Sequence, residues 1–214
     1  MINKLRDNVF QVKIPLKGNP LKELNCYVVR GEEKDVIIDT GFNSKECGDI
    51  LLKVIEDMNI NLEKTEVVIT HLHSDHSGLA YMLEQKGAKL YASKIDGVLI
   101  NSMVDEEYWD TFRDYETQLG LVIDDIVFTN HPGYKYSPKK KVDFTLLNEG
   151  DVVEVGNYKL EVVETPGHTP GQIGLYERSH KFYFSGDHIL GKITPNIAYW
   201  GEGRNDLKIY EESL

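Results

Sequence analysis

Residues 67–78 read Val-Val-Ile-Thr-His-Leu-His-Ser-Asp-His-Ser-Gly, and the reading of this stretch decides the fold. The β-branched residues up to Thr70 continue a strand that starts at Glu66. In an extended strand end, residues i and i+2 project to the same side, so His71 and His73 can meet one ion. Asp75 and His76 lie where the chain turns towards a helix, and the change of period can aim them at a second point nearby. Imidazole suits zinc, iron and similar borderline cations, while a carboxylate adds harder oxygen ligation and negative charge. A lone His-x-His pair can arise by chance on a surface. Four ligand-type residues between 71 and 76, at the mouth of a strand, make a much narrower pattern.

Outward from this segment, short apolar runs alternate with turns. Asn8–Ile14, Cys26–Arg30 and Asp35–Asp39 read as strands, and a Gly-containing turn follows at Thr40–Gly41. Ile50, Leu51, Val54, Ile55 and Met58 recur at helical spacing after a capping Asn43 or Ser44. A helix is predicted from about Ser77 to Gln85, a strand at Lys89–Ala92 and a short helix at Ser93–Ile100. Strands return at Phe144–Leu147, Asp151–Val155, Tyr158–Glu164, Gln172–Glu177 and Lys181–Ser185. His168 and Asp187 each directly follow one of these strands, in Thr-Pro-Gly-His-Thr-Pro-Gly and Ser-Gly-Asp-His. A carboxylate able to bridge two cations, such as Asp187, is what a two-metal hydrolytic site requires.

Residues of about 103–142 interrupt this rhythm. They are acidic and aromatic, with Tyr108, Trp109, Phe112 and Tyr115 at spacings that can share one helix face. Two readings stand open: an ordinary helix packing its rings onto the domain, or an insert that recognises substrate beside the active site. His131 and His180 read as loop and turn residues.

His-Leu-His-Ser-Asp-His, Gly-His-Thr and Gly-Asp, in this order and with the Val-Ile-Ile-Asp-Thr-Gly segment ahead of them, resemble the signature of the metallo-β-lactamase superfamily. The resemblance covers nearly the whole chain as one domain, 1–214. It implies an α+β fold, the four-layer αββα sandwich. It also implies that His71, His73 and His168 bind a first metal and that Asp75, His76 and the bridging Asp187 bind a second. Two zinc ions are expected, with iron or manganese as further candidates. Asp39 either orients a histidine ligand, as metal-bound imidazoles generally need, or makes an Asx turn with Gly41. His188 is a candidate hydrogen-bond donor lining the site. The family usually supplies one more histidine to the second metal, well downstream of the bridging aspartate, and no histidine occurs between Ile189 and Leu214. Leu207, Ile209, Tyr210 and Leu214 read as the first turns of an amphipathic helix. The expectation is a fold lacking its last helix, a strand and the seventh ligand, with a natural variant of weakened second site as the alternative.

The function implied is hydrolysis by a metal-bound hydroxide, coordination lowering the water's pKa from about 15.7 towards 7, with Asp75 as the catalytic residue that orients it. Glyoxalase-II-like thioesterases, lactonases, β-lactamases and some nucleases share the signature. The His-Leu-His-Ser-Asp-His-Ser-Gly form, residues 166–176 and residues 193–214 most resemble the thioesterase-like general hydrolases. A thioester, lactone or other ester-like small molecule is therefore the expected substrate. Alternatives are an iron-dependent persulfide-dioxygenase-like oxidoreductase and a phosphodiesterase or ribonuclease. Flavodiiron-type proteins usually have Glu where this chain has His73, which argues against them.

A net charge of −11 disfavours nucleic acid as a partner without excluding it, because backbone binding needs a basic face. Cys26 and Cys47 form no disulfide framework and read as small buried hydrophobes. No apolar run reaches bilayer-spanning length, and the first 15 residues lack a signal-peptide core. The expected setting is cytoplasmic, without a membrane partner, and a homodimer is compatible. The missing export signal also argues against a β-lactamase.

Overall fold

Alternating apolar faces explain the centre of the molecule. The computed structural model describes residues 2–121 and 125–214, so residues 122–124 of the acidic-aromatic stretch lie outside the described residues. In β4 (Asp35–Ile38) and β5 (Thr65–Ile69), Val36, Ile38 and Val68 join one core while Ile37, Val67 and Ile69 join another. Successive strand side chains point to opposite faces, and burial of both faces makes these strands unbroken apolar runs. β4 and β5 pair in parallel, and β6 (Lys89–Ser93) and β7 (Phe144–Leu147) extend the parallel half. β3 (Glu23–Val29), β2 (Val9–Pro15) and β1 (Ile2–Arg6) add antiparallel on the other edge, giving seven strands in sequence order. The sequence pattern did not predict β1, whose residues are nearly all exposed and so carry no in–out alternation.

A second sheet holds β8 (Val152–Val155), β9 (Tyr158–Glu164), β10 (Ile173–Glu177) and β11 (Phe182–Phe184), antiparallel throughout. Its Val153, Leu160, Val162, Leu175 and Phe184 pack against Val9, Val29, Val36, Ile38 and Val68 of the first sheet. The other face of the first sheet is covered by α1 (Lys45–Asp57), with Ser44 as its cap, through Cys47, Leu51, Val54 and Ile55. Both cysteines are free and buried.

The single helix expected over Ser77–Gln85 is two, α2 (Ser74–Ser77) and α3 (Ala80–Glu84). The Leu79 N–H donates to Thr40 Oγ1 at 3.1 Å instead of to a helical carbonyl, and this breaks the ladder. α4 (Lys94–Ser102) follows β6. α5 (Glu106–Gln118), α6 (Asp125–Asn130) and α7 (Pro132–Tyr136) form the insert. α8 (Asp206–Ser213) is fastened to the turns after β9 and β11, Ser213 Oγ donating to the Pro166 carbonyl at 2.9 Å. The result is the expected mixed α/β architecture of helices on paired sheets. Among the described residues, no helix is long and apolar enough to cross a membrane.

Candidate metal centre

The site forms where the parallel strands end and the second sheet's turns meet them. Just after β4, Asp39 takes φ +60°, a left-handed conformation that Asp tolerates better than branched residues do. Its carboxylate thereby reaches the end of β5. Oδ1 accepts the Thr70 N–H at 2.9 Å, Oδ2 lies 2.9 Å from Thr70 Oγ1, and Oδ2 lies 2.8 Å from His76 Nδ1. An ionised carboxylate only accepts, so the Thr70 hydroxyl and His76 Nδ1 donate to it. His71 Nδ1, 3.0 Å from that hydroxyl, then donates to Thr70 Oγ1. Two imidazoles are thus fixed from behind, leaving each Nε2 as the atom that faces the site. Thr70 and His76, not an Asx turn, engage the Asp39 carboxylate.

His73 brings Nδ1 to 3.1 Å from His71 Nε2. After β9, His168 donates Nδ1–H to the Asn196 carbonyl at 2.6 Å, while its Nε2 is buried with no hydrogen-bond partner. One ligand atom from each of His71, His73 and His168 lies within 4.8 Å of the others, and the same holds for His71, His76 and Asp187. Asp187 Oδ1 lies 3.4 Å from His76 Nε2 and Oδ2 lies 3.7 Å from His168 Nε2, so its carboxylate faces both groups. Asp75 Oδ2 lies 3.7 Å from His76 Nε2. All six ligand-type residues named from the sequence therefore converge.

The electrostatics of this cluster suit cations. Burial, reinforced by neighbouring imidazoles, holds His71 and His73 well below the ordinary histidine range, so both rings keep a free lone pair at neutral pH. Burial also opposes charge on His76, but Asp39, Asp187 and Asp75 outweigh it and push that ring up to about 10. Burial raises the Asp75 carboxyl, with His76 opposing and Asp187 adding to the rise. A proton on His76 Nε2 sits on the lone pair a metal would use, and ligand protons and metal compete in this way generally. The neutral imidazoles of His71 and His73, the carboxylates and an orphaned buried nitrogen together fit bound metal.

His188 corrects an expectation. Gly186, at φ +51°, begins a turn in which the His188 N–H donates to the Ser185 carbonyl at 3.1 Å. The turn places Asp187 in the cluster and sends His188 to α8, where its Nε2 donates to the Ser213 carbonyl at 3.0 Å. Its own carbonyl accepts the Tyr210 hydroxyl at 2.8 Å. His188 fastens the last helix and makes no hydrogen bond to a ligand-type residue.

Sequence reasoning missed Asp96, buried at the start of α4. Its Oδ2 accepts the Leu72 N–H at 2.9 Å and the Thr169 hydroxyl at 2.6 Å, and its Oδ1 accepts the Gly171 N–H at 2.8 Å. One carboxylate thus ties the loop of His71 and His73 to the loop of His168. The signal was Ser93-x-x-Asp96, a helix-start pattern in which Ser93 Oγ does accept the Asp96 N–H. That local role hides the long-range one. His131, read as an ordinary loop residue, stands within 6 Å of the Trp109 and Phe112 ring centres, at 5.8 and 5.3 Å.

Over the cluster opens a cavity of about 880 Å³, with His73, Asp75, His168 and Asp187 at its floor. Trp109 and Tyr115 of α5 form one wall and Tyr199 and Trp200 another, Tyr115 stacking on Tyr199 at 5.7 Å. The insert packs its rings onto the domain and also borders the cavity. Trp109 is buried against Phe128 and Tyr134 while it also borders the cavity.

The family model described as Metallo-beta-lactamase superfamily matches residues 22–213. The human protein named acyl-coenzyme A thioesterase MBLAC2 is 29% identical over 207 residues, covering 91% of this chain and 68% of that protein. Hydroxyacylglutathione hydrolase GloC of Haemophilus influenzae is 27% identical over 168 residues, covering 78% of this chain and 66% of that one. The chain thus spans about two thirds of the length of these relatives. A crystal structure of a metallo-beta-lactamase family protein from Thermus thermophilus superposes with a TM-score of 0.80 at 22% identity, covering 98% of this chain and 69% of that one.

Proposed function

Because the chain belongs to the metallo-beta-lactamase superfamily, we propose that it is a metal-dependent hydrolase of thioesters. The observation that carries this reading is the convergence of four imidazoles and two carboxylates at the floor of an open cavity. His71, His73 and His168 would hold one ion, and Asp75, His76 and Asp187 the other. Zinc suits this nitrogen and oxygen donor set. Such ions, when bound, acidify a coordinated water towards neutral pH and polarise the carbonyl they touch.

The remaining work falls to the chain. Asp75, raised by burial, would orient water and accept its proton. Asp39 and Thr70 keep His71 and His76 in the tautomer that turns Nε2 inward. The aromatic walls border the space that the reacting carbonyl would enter. Water adds to the thioester carbonyl, the carbon–sulfur bond breaks, and a carboxylic acid and a thiol result. The choice of thioesters is supported by relatives named as an acyl-coenzyme A thioesterase and a hydroxyacylglutathione hydrolase.

Thiol release from a panel of acyl thioesters tests the reading, with lactones, β-lactams and phosphodiesters run in parallel. Metal-loaded protein should release thiol, and chelation or His71→Ala should abolish the release. Turnover of another ester class with no thiol release would sink it.

A further inference from the structure

Away from its floor, the cavity has an uneven chemistry. Its walls carry Tyr108, Trp109, Phe112, Tyr115, Tyr199 and Trp200. Its acidic lining residues are Asp75 and Asp187 at the floor and Asp105 and Glu107 beside the start of α5. No described lining residue is Lys or Arg. Of the two rim acids, Asp105 is paired with Lys141 at 2.8 Å. Two divalent cations would more than offset Asp75 and Asp187 at the floor, whereas the aromatic wall away from the floor has no Lys or Arg among its described residues.

Two of these rings, Trp109 and Trp200, are held by hydrogen bonds. The Trp109 indole N–H donates to the Met103 carbonyl at 2.7 Å. Trp200 donates its indole N–H to the carbonyl of His168 itself at 3.0 Å, and its ring centre lies 6.2 Å from that of His73. The wall is therefore built onto the ligand loops, and a group resting on it has a set position relative to the floor. Preorganised aromatic surface binds apolar and planar groups well. An ionised carboxylate pressed against it loses hydration and meets no Lys or Arg among the described lining residues.

We propose that this cavity receives the acyl part of the substrate and selects an uncharged aromatic or apolar acyl group over one carrying a second carboxylate. The inference rests on the thioester-hydrolase reading for turnover, and its binding half stands without it.

The test uses N-acetylcysteamine thioesters of phenylacetate and succinate, which share one uncharged thiol, with the metal-loaded protein. The phenylacetyl ester should have the higher kcat/KM by at least about tenfold, within the range set by a mismatched pocket. Glu107→Lys should narrow that ratio by raising the succinyl value, and Tyr115→Ala should narrow it by lowering the phenylacetyl value. Equal values, or a succinyl preference, overturn the proposal. Should neither ester be cleaved, the thioester reading fails and binding decides. Trp109 and Trp200 fluorescence then responds at lower concentrations of phenylacetamide than of succinamate if the cavity inference holds. An equal or reversed response overturns it.

Discussion

Asp96 touches no ligand-type residue, yet its three donors come from both loops that carry them. Outer partners of this kind typically contribute about 10- to 100-fold in metal affinity. Asp96→Ala should therefore weaken zinc binding, measured against a chelator of known affinity, by about that factor. An unchanged affinity would show that the loops hold their spacing without it. Burial, against those three hydrogen bonds, pushes the Asp96 carboxyl up to about 6. A carboxyl raised above its unfolded value of 3.8 binds more protons in the folded state between those two values. Its contribution to stability is full below about 3.8 and is lost as pH rises through about 6, a change of about 3 kcal/mol. In metal-free protein, the stability of wild type relative to Asp96→Asn should fall between pH 4 and 7, by denaturant unfolding. A rising or flat difference would contradict the burial argument. The six ligand-type residues were legible because they are chemically unusual and adjacent to strand ends. Asp96 was not, since its partners at Leu72, Thr169 and Gly171 are distant in sequence and two of them are backbone N–H groups.

At the scale of elements, α8 and the loop of His168 are packed without clearance. Gly167 has φ +135°, and a Cβ there would fall on Cα and Cβ of Tyr210. Gly167→Ala should cost roughly 2 kcal/mol or more, combining backbone strain with displacement of α8. It should also weaken metal binding at His168. A stability loss below about 0.5 kcal/mol, the scale of a neutral surface change, would show that α8 moves freely. The central strands and α1 were legible because burial writes a period into the sequence. β1 was not, because it is exposed and held by backbone pairing to β2. The break between α2 and α3 escaped for a related reason: it depends on Thr40, a residue 39 positions before the N–H it accepts. His188 was misplaced because a single left-handed glycine redirects the chain.

For the whole molecule, the ligand-type residues come from the loop after β5, from α2 and from turns after β9 and β11, so both sheets must be assembled before the cluster exists. Metal that binds only the folded chain stabilises it by mass action, about 2.7 kcal/mol per site at a hundred times Kd. For a domain of this size that should raise Tm by about 5–10 °C per site. A Tm insensitive to added zinc and to chelator would mean that the cluster holds no ion. The fold and the cluster of ligand-type residues were readable through the motif, whereas the cavity was not. Its walls join residues near 109–115 to residues near 199–200, a pairing that no local pattern records.

The most direct test of the account is a titration of metal-stripped protein with zinc, followed by release of thiol from a phenylacetyl thioester. Turnover should be near zero at the start, rise with each equivalent added, and stay near zero throughout in His168→Ala. Stripped protein that cleaves the thioester at the full rate, or a His168→Ala variant that responds as wild type does, would contradict it.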